Sequence, residues 1–167
     1  MFQTLNGFLQ SWEYEAGATQ KLLDALTDAS LRQEVASMDR TLGRIAWHIV
    51  TAIHEMMSRT GLQFASPGED GPVPTSAKVI ADAYRQVNDA FVQALQTQWT
   101  DSTLKEMHNL YGEEWPNGIT LMVLIRHQIH HRGQMTVLMR QAGLKVPGVY
   151  GPAREEWANL GMEAPKL

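Results

Sequence analysis

His127-Gln-Ile-His-His-Arg-Gly-Gln134 lies within a run from Ile119 to Gln141 whose apolar positions recur at helical spacing. Leu124, His127, His131, Met135 and Leu138 follow one another at steps of three or four residues, so the two outer histidines share the inward face of a helix. They stand about 40° apart around the helix axis and one turn apart along it. Two imidazoles so placed can reach a single ion. A polar pair on an inward face calls for facing helices to complete it, so the fold is read outward from here.

Three more helices are expected. Phe2 to Leu26 carries Leu5, Phe8, Leu9, Trp12, Ala16, Leu22, Leu23 and Leu26 at mostly helical spacing. Thr41 to Arg59 has a plausible N-cap in Thr41, a stripe of Ile45, His48, Ile49, Ala52 and Met56, and a stop at Gly61. A third helix runs from Thr75 or Ser76 to Trp99 with Val79, Ile80, Ala83, Val87, Ala90, Phe91, Ala94 and Leu95. The Gly- and Pro-rich stretch from Ala65 to Pro74 is read as a loop. Thr100 to Asn117 is read as a helical turn followed by a loop, and Gly143 as the stop of the fourth helix. Pro147 to Pro152 forms a turn-rich strap before a short polar tail. With no convincing strand alternation, the fold class is all-α, an antiparallel four-helix bundle in one domain spanning residues 1–167.

Bulk properties narrow the function. The net charge is −4 with dispersed Lys and Arg, which argues against a nucleic-acid partner. There are no cysteines, so thiolate zinc sites, disulfides and a cysteine nucleophile are all excluded. Histidine and carboxylate are left as the metal-ligand set. Neither a signal peptide nor a run of about 18 apolar residues is present, so no membrane role is expected and a cytoplasmic location is.

His48 sits in the apolar stretch Ile45 to Val50. A buried imidazole needs a partner, either a hydrogen bond in the core or a metal. Because His127 and His131 lack a third ligand, His48 is a candidate for that place. Three histidines plus an open position make a reactive site. Glu55, seven residues beyond His48, falls near the same face. It is a candidate general base or orienting group, with a solvated surface carboxylate as the alternative. His54 is rotated away and expected to be exposed, and His108 lies in the connector. His130 projects about 100° from His131, toward a neighbouring helix, a dimer surface or solvent. Arg132 either pairs with a carboxylate of a neighbouring helix or is solvated. Gly133 in mid-helix costs about 1 kcal/mol relative to Ala, which suggests close approach of another helix or another chain.

The string from His127 to Met135, with Arg140-Gln-Ala-Gly143, Val146-Pro147 and Tyr150-Gly151, resembles the DinB/YfiT-like family of damage-inducible proteins. The match is strongest from Thr120 to Gly151, and His48 fits the family's upstream histidine. This resemblance implies an up-down-down-up bundle and a homodimer. It also implies a divalent metal, most often zinc or nickel, held by His48, His127 and His131. Iron, manganese and cobalt suit such a site as well. Some relatives are transferases or isomerases that use mycothiol or bacillithiol. The implied function is therefore a metal-dependent enzyme acting on a small molecule, a thiol-dependent S-transferase or a hydrolase-like relative. The alternative is a non-catalytic metal-binding module for stress response or interaction.

Overall fold

The computed structural model describes residues 1–68 and 71–166; Glu69 and Asp70 of the expected loop, and Leu167, lie outside the described residues. Four long helices dominate: α1 (Leu5–Asp24), α2 (Leu42–Ser58), α3 (Ala77–Gln98) and α4 (Asn117–Gln141). Each lies within a few residues of its expected bounds, because the signals that start and stop it are local. Thr4 caps α1 by accepting from the Gly7 amide at 3.1 Å, and Thr41 caps α2 by accepting from the Arg44 amide at 3.1 Å. At the end of α4, Gly143 adopts φ 76°. The Gly143 amide donates to the Arg140 carbonyl at 3.0 Å and the Leu144 amide to the Met139 carbonyl at 2.9 Å, a Schellman termination. Gly143→Ala would force a Cβ into the left-handed region. It is expected to lower stability by about 1–2 kcal/mol, read as the shift of the urea unfolding midpoint.

A short β-hairpin corrects the all-α expectation. β1 (Met107–Leu110) pairs antiparallel with β2 (Glu113–Pro116), with His108 opposite Trp115 and Leu110 opposite Glu113. Tyr111 and Gly112 have φ of 56° and 93°, as a two-residue hairpin turn of type I′ requires. The hairpin escapes a pattern reading because its strands are four residues long and only Leu110 among them is buried. Tyr also stands where Asn or Asp would announce such a turn.

The helices pack as α1 on α3 and α4, and α2 on α3 and α4. Phe8 meets Phe91 at 6.0 Å, Trp12 Nε1 donates to Asn88 Oδ1 at 2.8 Å, and Gln20 Nε2 donates to the Ala81 carbonyl at 3.2 Å. Along α1 and α3 these contacts run in opposite sequence directions. Between α2 and α4, Gln128 Nε2 donates to the Ile49 carbonyl at 3.0 Å. One apolar cluster joins residues of all four helices, including Trp12, Ile49, Ile53, Phe91, Leu124 and Met135. Of the adjacent pair assigned to the inward stripe of α3, Ile80 is buried, whereas Val79 is 51% exposed.

The C-terminal segment folds back rather than trailing as a polar tail. Glu155 pairs with Arg140, and Glu156 accepts from the Gly148 and Ala153 amides at 3.1 and 2.8 Å. Tyr14 donates to the Val149 carbonyl at 2.6 Å and stacks on Tyr150. Among the described residues, no helix is long and apolar enough to cross a membrane.

Candidate metal centre

The inward stripe of α4 carries His127 and His131 against α2, where His48 faces them. His127 Nε2 lies 3.1 Å from His48 Nε2 and 3.2 Å from His131 Nε2. The candidate donor atoms of all three rings fall within 4.8 Å of one another, so the group could hold a metal ion. Imidazole nitrogens arranged tetrahedrally at about 2.1 Å from one zinc lie about 3.4 Å apart. The observed spacing is close to that value.

Hydrogen bonding around the ring edges suits the same use. His131 Nδ1 lies 2.7 Å from Gln134 Oε1, and Gln134 Nε2 lies 3.2 Å from His130 Nε2. With the Gln134 oxygen accepting, His131 carries its proton on Nδ1 and turns the Nε2 lone pair toward the other two rings. His127 Nδ1 is buried and has no partner among the described residues. Three Nε2 atoms crowded together cannot all be satisfied by hydrogen bonds to one another, since a neutral ring offers a single N–H. A cation at their meeting point accepts all three lone pairs, so this donor set fits a divalent metal.

The environment favours neutral rings. Burial, and then the neighbouring His131, Arg40 and Arg44, push the His48 pKa down to about 4, with Glu55 acting weakly the other way. His127 is likewise held down to about 4, first by burial and then by His131, His48 and His130. Burial also lowers His131, partly offset by its bond to Gln134. In the unfolded chain a histidine titrates near 6.5. Below that pH the unfolded state takes up protons that the folded state refuses, so the metal-free protein should be fully stabilised above pH 6.5. It should lose stability as pH falls toward 4. Urea midpoints of metal-free protein at pH 7 and pH 5 test this, and an unchanged midpoint would contradict it.

The remaining candidates fall elsewhere. Glu55 is partly buried, but Oε1 accepts from Arg59 at 2.9 Å and Oε2 from Tyr111 at 2.7 Å, so both oxygens are engaged. His54 is partly buried, not exposed, and packs 5.1 Å from the Phe64 ring. His108 sits on β1 opposite Trp115 and outside the cluster. His130 is exposed. Trp47, beside His48, belongs to the core cluster at 5% exposure.

Arg132 is 2% exposed and pairs with Glu15 of α1 at 2.5 Å, which excludes the solvated reading. A Cβ built on Gly133 meets nothing within 4 Å, so no helix of this chain requires the glycine. Gln134 is the contributor that pattern reading missed. Its position three residues after His131 was the available signal, because i and i+3 side chains meet on a helix.

Comparison with known proteins adds to this geometry. A family model described as the DinB family matches residues 1–166. The chain is 66% identical over 167 residues, the full length of both proteins, to the uncharacterized protein YrdA of Bacillus subtilis (strain 168). A crystal structure of a DinB-like protein from Bacillus cereus ATCC 10987 is 64% identical with a TM-score of 0.88, over 90% of this chain and 100% of that one. The DinB-like protein YjoA of Bacillus subtilis is 20% identical with a TM-score of 0.68, over 86% and 97% of the two chains, and shares the fold.

Proposed function

This chain belongs to the DinB family, and on that premise we propose that it is a metal-dependent enzyme acting on a small molecule, best described as a thiol-dependent S-transferase. The observation that carries the reading is the convergence of the His48, His127 and His131 Nε2 atoms, with separations of 3.1 and 3.2 Å. In this reading the three rings hold one divalent cation, zinc or nickel before iron, manganese or cobalt. Such a cation supplies Lewis acidity, lowering the pKa of a thiol or water that occupies its open position.

The chain's own residues keep that position usable. Gln134, with its oxygen accepting from Nδ1–H, fixes the His131 tautomer. Arg59 and Tyr111 occupy both oxygens of Glu55, so its role here is to orient neighbours and to place negative charge near His48 and His127.

The up-down-down-up helix order belongs to the same reading. It is supported by the opposed contacts of α1 with α3, and by Glu55 lying near the hairpin that precedes α4 while His48 lies at its middle. A homodimer is supported by Gly133, which has open space around it. The engagement of both Glu55 oxygens favours a second reading, a metal-binding module without catalysis.

Elemental analysis of untagged wild type beside His131→Ala and His130→Ala tests the site. About one metal per chain is expected in wild type and His130→Ala, and none in His131→Ala. Cobalt-substituted protein then separates the two readings. A thiol-dependent change in its visible spectrum supports an enzyme with an open position, whereas a spectrum indifferent to thiols supports the closed module.

A further inference from the structure

The α1–α2 connector, the start of α2 and the C-terminal half of α4 border an open cleft of about 310 Å³, with Val35, Asp39, Arg40, Gln134 and Val137 exposed along it. Ile45, Val137 and Leu138 give it apolar wall, and Asp39, Arg40 and Gln134 give it polar groups. None of the three histidines lines it; it is linked to their cluster through Gln134, which lines it and whose Oε1 lies 2.7 Å from His131 Nδ1. Ile45 lies one turn before His48, and Leu138 two turns after His131.

The charged groups of this cleft are Arg40 and Asp39. Net charge is −4 overall. Arg59, Arg85, Arg132 and Arg140 are all paired with carboxylates. The guanidinium groups of Arg40, which lines the cleft, and Arg44, which does not, form no ion pair with a carboxylate among the described residues, as is also true of Arg32, Arg126 and Arg154. The fields of Arg40 and Arg44 reach the cluster, Arg40 acting on His48 and His131, and Arg44 on His48. The Asp39 carboxylate is turned to the backbone, accepting from the Arg40 amide at 2.6 Å. It still places one negative charge in the cleft wall.

We propose that this cleft is a subsite for the carboxylate-bearing tail of the substrate, with Arg40 meeting the carboxylate while the substrate's thiol faces the histidines. The assignment rests on the metal-dependent reading above. An apolar stem would cover Ile45, Val137 and Leu138, and an Arg fork matches a carboxylate geometrically. Asp39 in the same wall disfavours a dianion, so a single carboxylate suits the cleft better than a phosphate.

Calorimetric titration of zinc-loaded protein with 6-mercaptohexanoate and 6-mercaptohexanol tests the assignment, because the two thiols differ only at the far end. Wild type is expected to prefer the acid by at least tenfold. Arg40→Gln should bring the two within about threefold while zinc content and affinity for the alcohol stay unchanged. A tenfold preference that survives in Arg40→Gln overturns the subsite. If neither thiol binds, or no zinc is held, the metal-dependent reading fails instead. Hexanoate titrated into metal-free protein then judges Arg40 alone: at least threefold weaker binding in Arg40→Gln supports the cleft assignment, and equal binding ends it.

Discussion

Arg132→Met is expected to destabilise the fold by about 3–5 kcal/mol, a fall in Tm of about 6–20 °C for a chain of this size. Arg132 is 2% exposed, and its guanidinium holds three elements together. It donates to the Glu15 carbonyl at 2.8 Å and to Thr19 Oγ1 at 3.2 Å on α1, and to the Glu15 carboxylate and the Tyr150 hydroxyl at 2.5 Å each. Tyr150, on the strap, donates in turn to both Glu15 oxygens at 2.9 and 2.7 Å. Removing the guanidinium leaves a carboxylate in a 9% exposed residue with only a tyrosine to compensate it. The double replacement Glu15→Gln with Arg132→Met removes both charges and should recover much of the loss. Thermal and urea unfolding of the single and double variants measure this. A single-variant loss under about 1 kcal/mol would show that the pair is not the tether between α1, α4 and the strap.

Zinc should raise the melting temperature of wild type strongly and that of His127→Ala not at all. At a thousandfold excess over its dissociation constant, a ligand that binds only the folded state stabilises by about 4 kcal/mol. For this size of chain that is about 8–16 °C. His127 is the sensitive position because its Nε2 is the atom shared by both close contacts, 3.1 Å to His48 and 3.2 Å to His131. Calorimetric scans with and without zinc, at pH 7 where the rings are neutral, give the comparison. An equal zinc shift in the variant would mean that the ion binds elsewhere and that the cluster is a packing feature.

The helices were legible because their information is short-range. Thr41 and Gly143 mark boundaries through bonds to residues within five positions, and the Ile45 to Met56 stripe is a periodicity within one segment. The hairpin was not, since four-residue strands with one buried side chain carry almost no alternation. Val79 reads as part of the stripe beside Ile80 because both are apolar; the rotation of α3 against its neighbours buries Ile80 and leaves Val79 exposed.

At the candidate site, the His127 and His131 pair follows from residue order alone, because a helix of 3.6 residues per turn puts positions i and i+4 on one face wherever that helix lies. Metal-capable residue types and the lack of cysteine ligands are likewise properties of composition. His48 could be nominated from its apolar setting, but its 3.1 Å approach to His127 spans 79 positions of chain and exists only once α2 is laid on α4. The same holds for Arg132, whose partner Glu15 is 117 positions away, and for Glu55, whose oxygens are taken up by Arg59 and by a tyrosine on the hairpin. Local geometry fixes which face of a helix a residue occupies. Which distant group stands opposite it depends on how whole helices pack, and that is settled by the burial of all their apolar faces together.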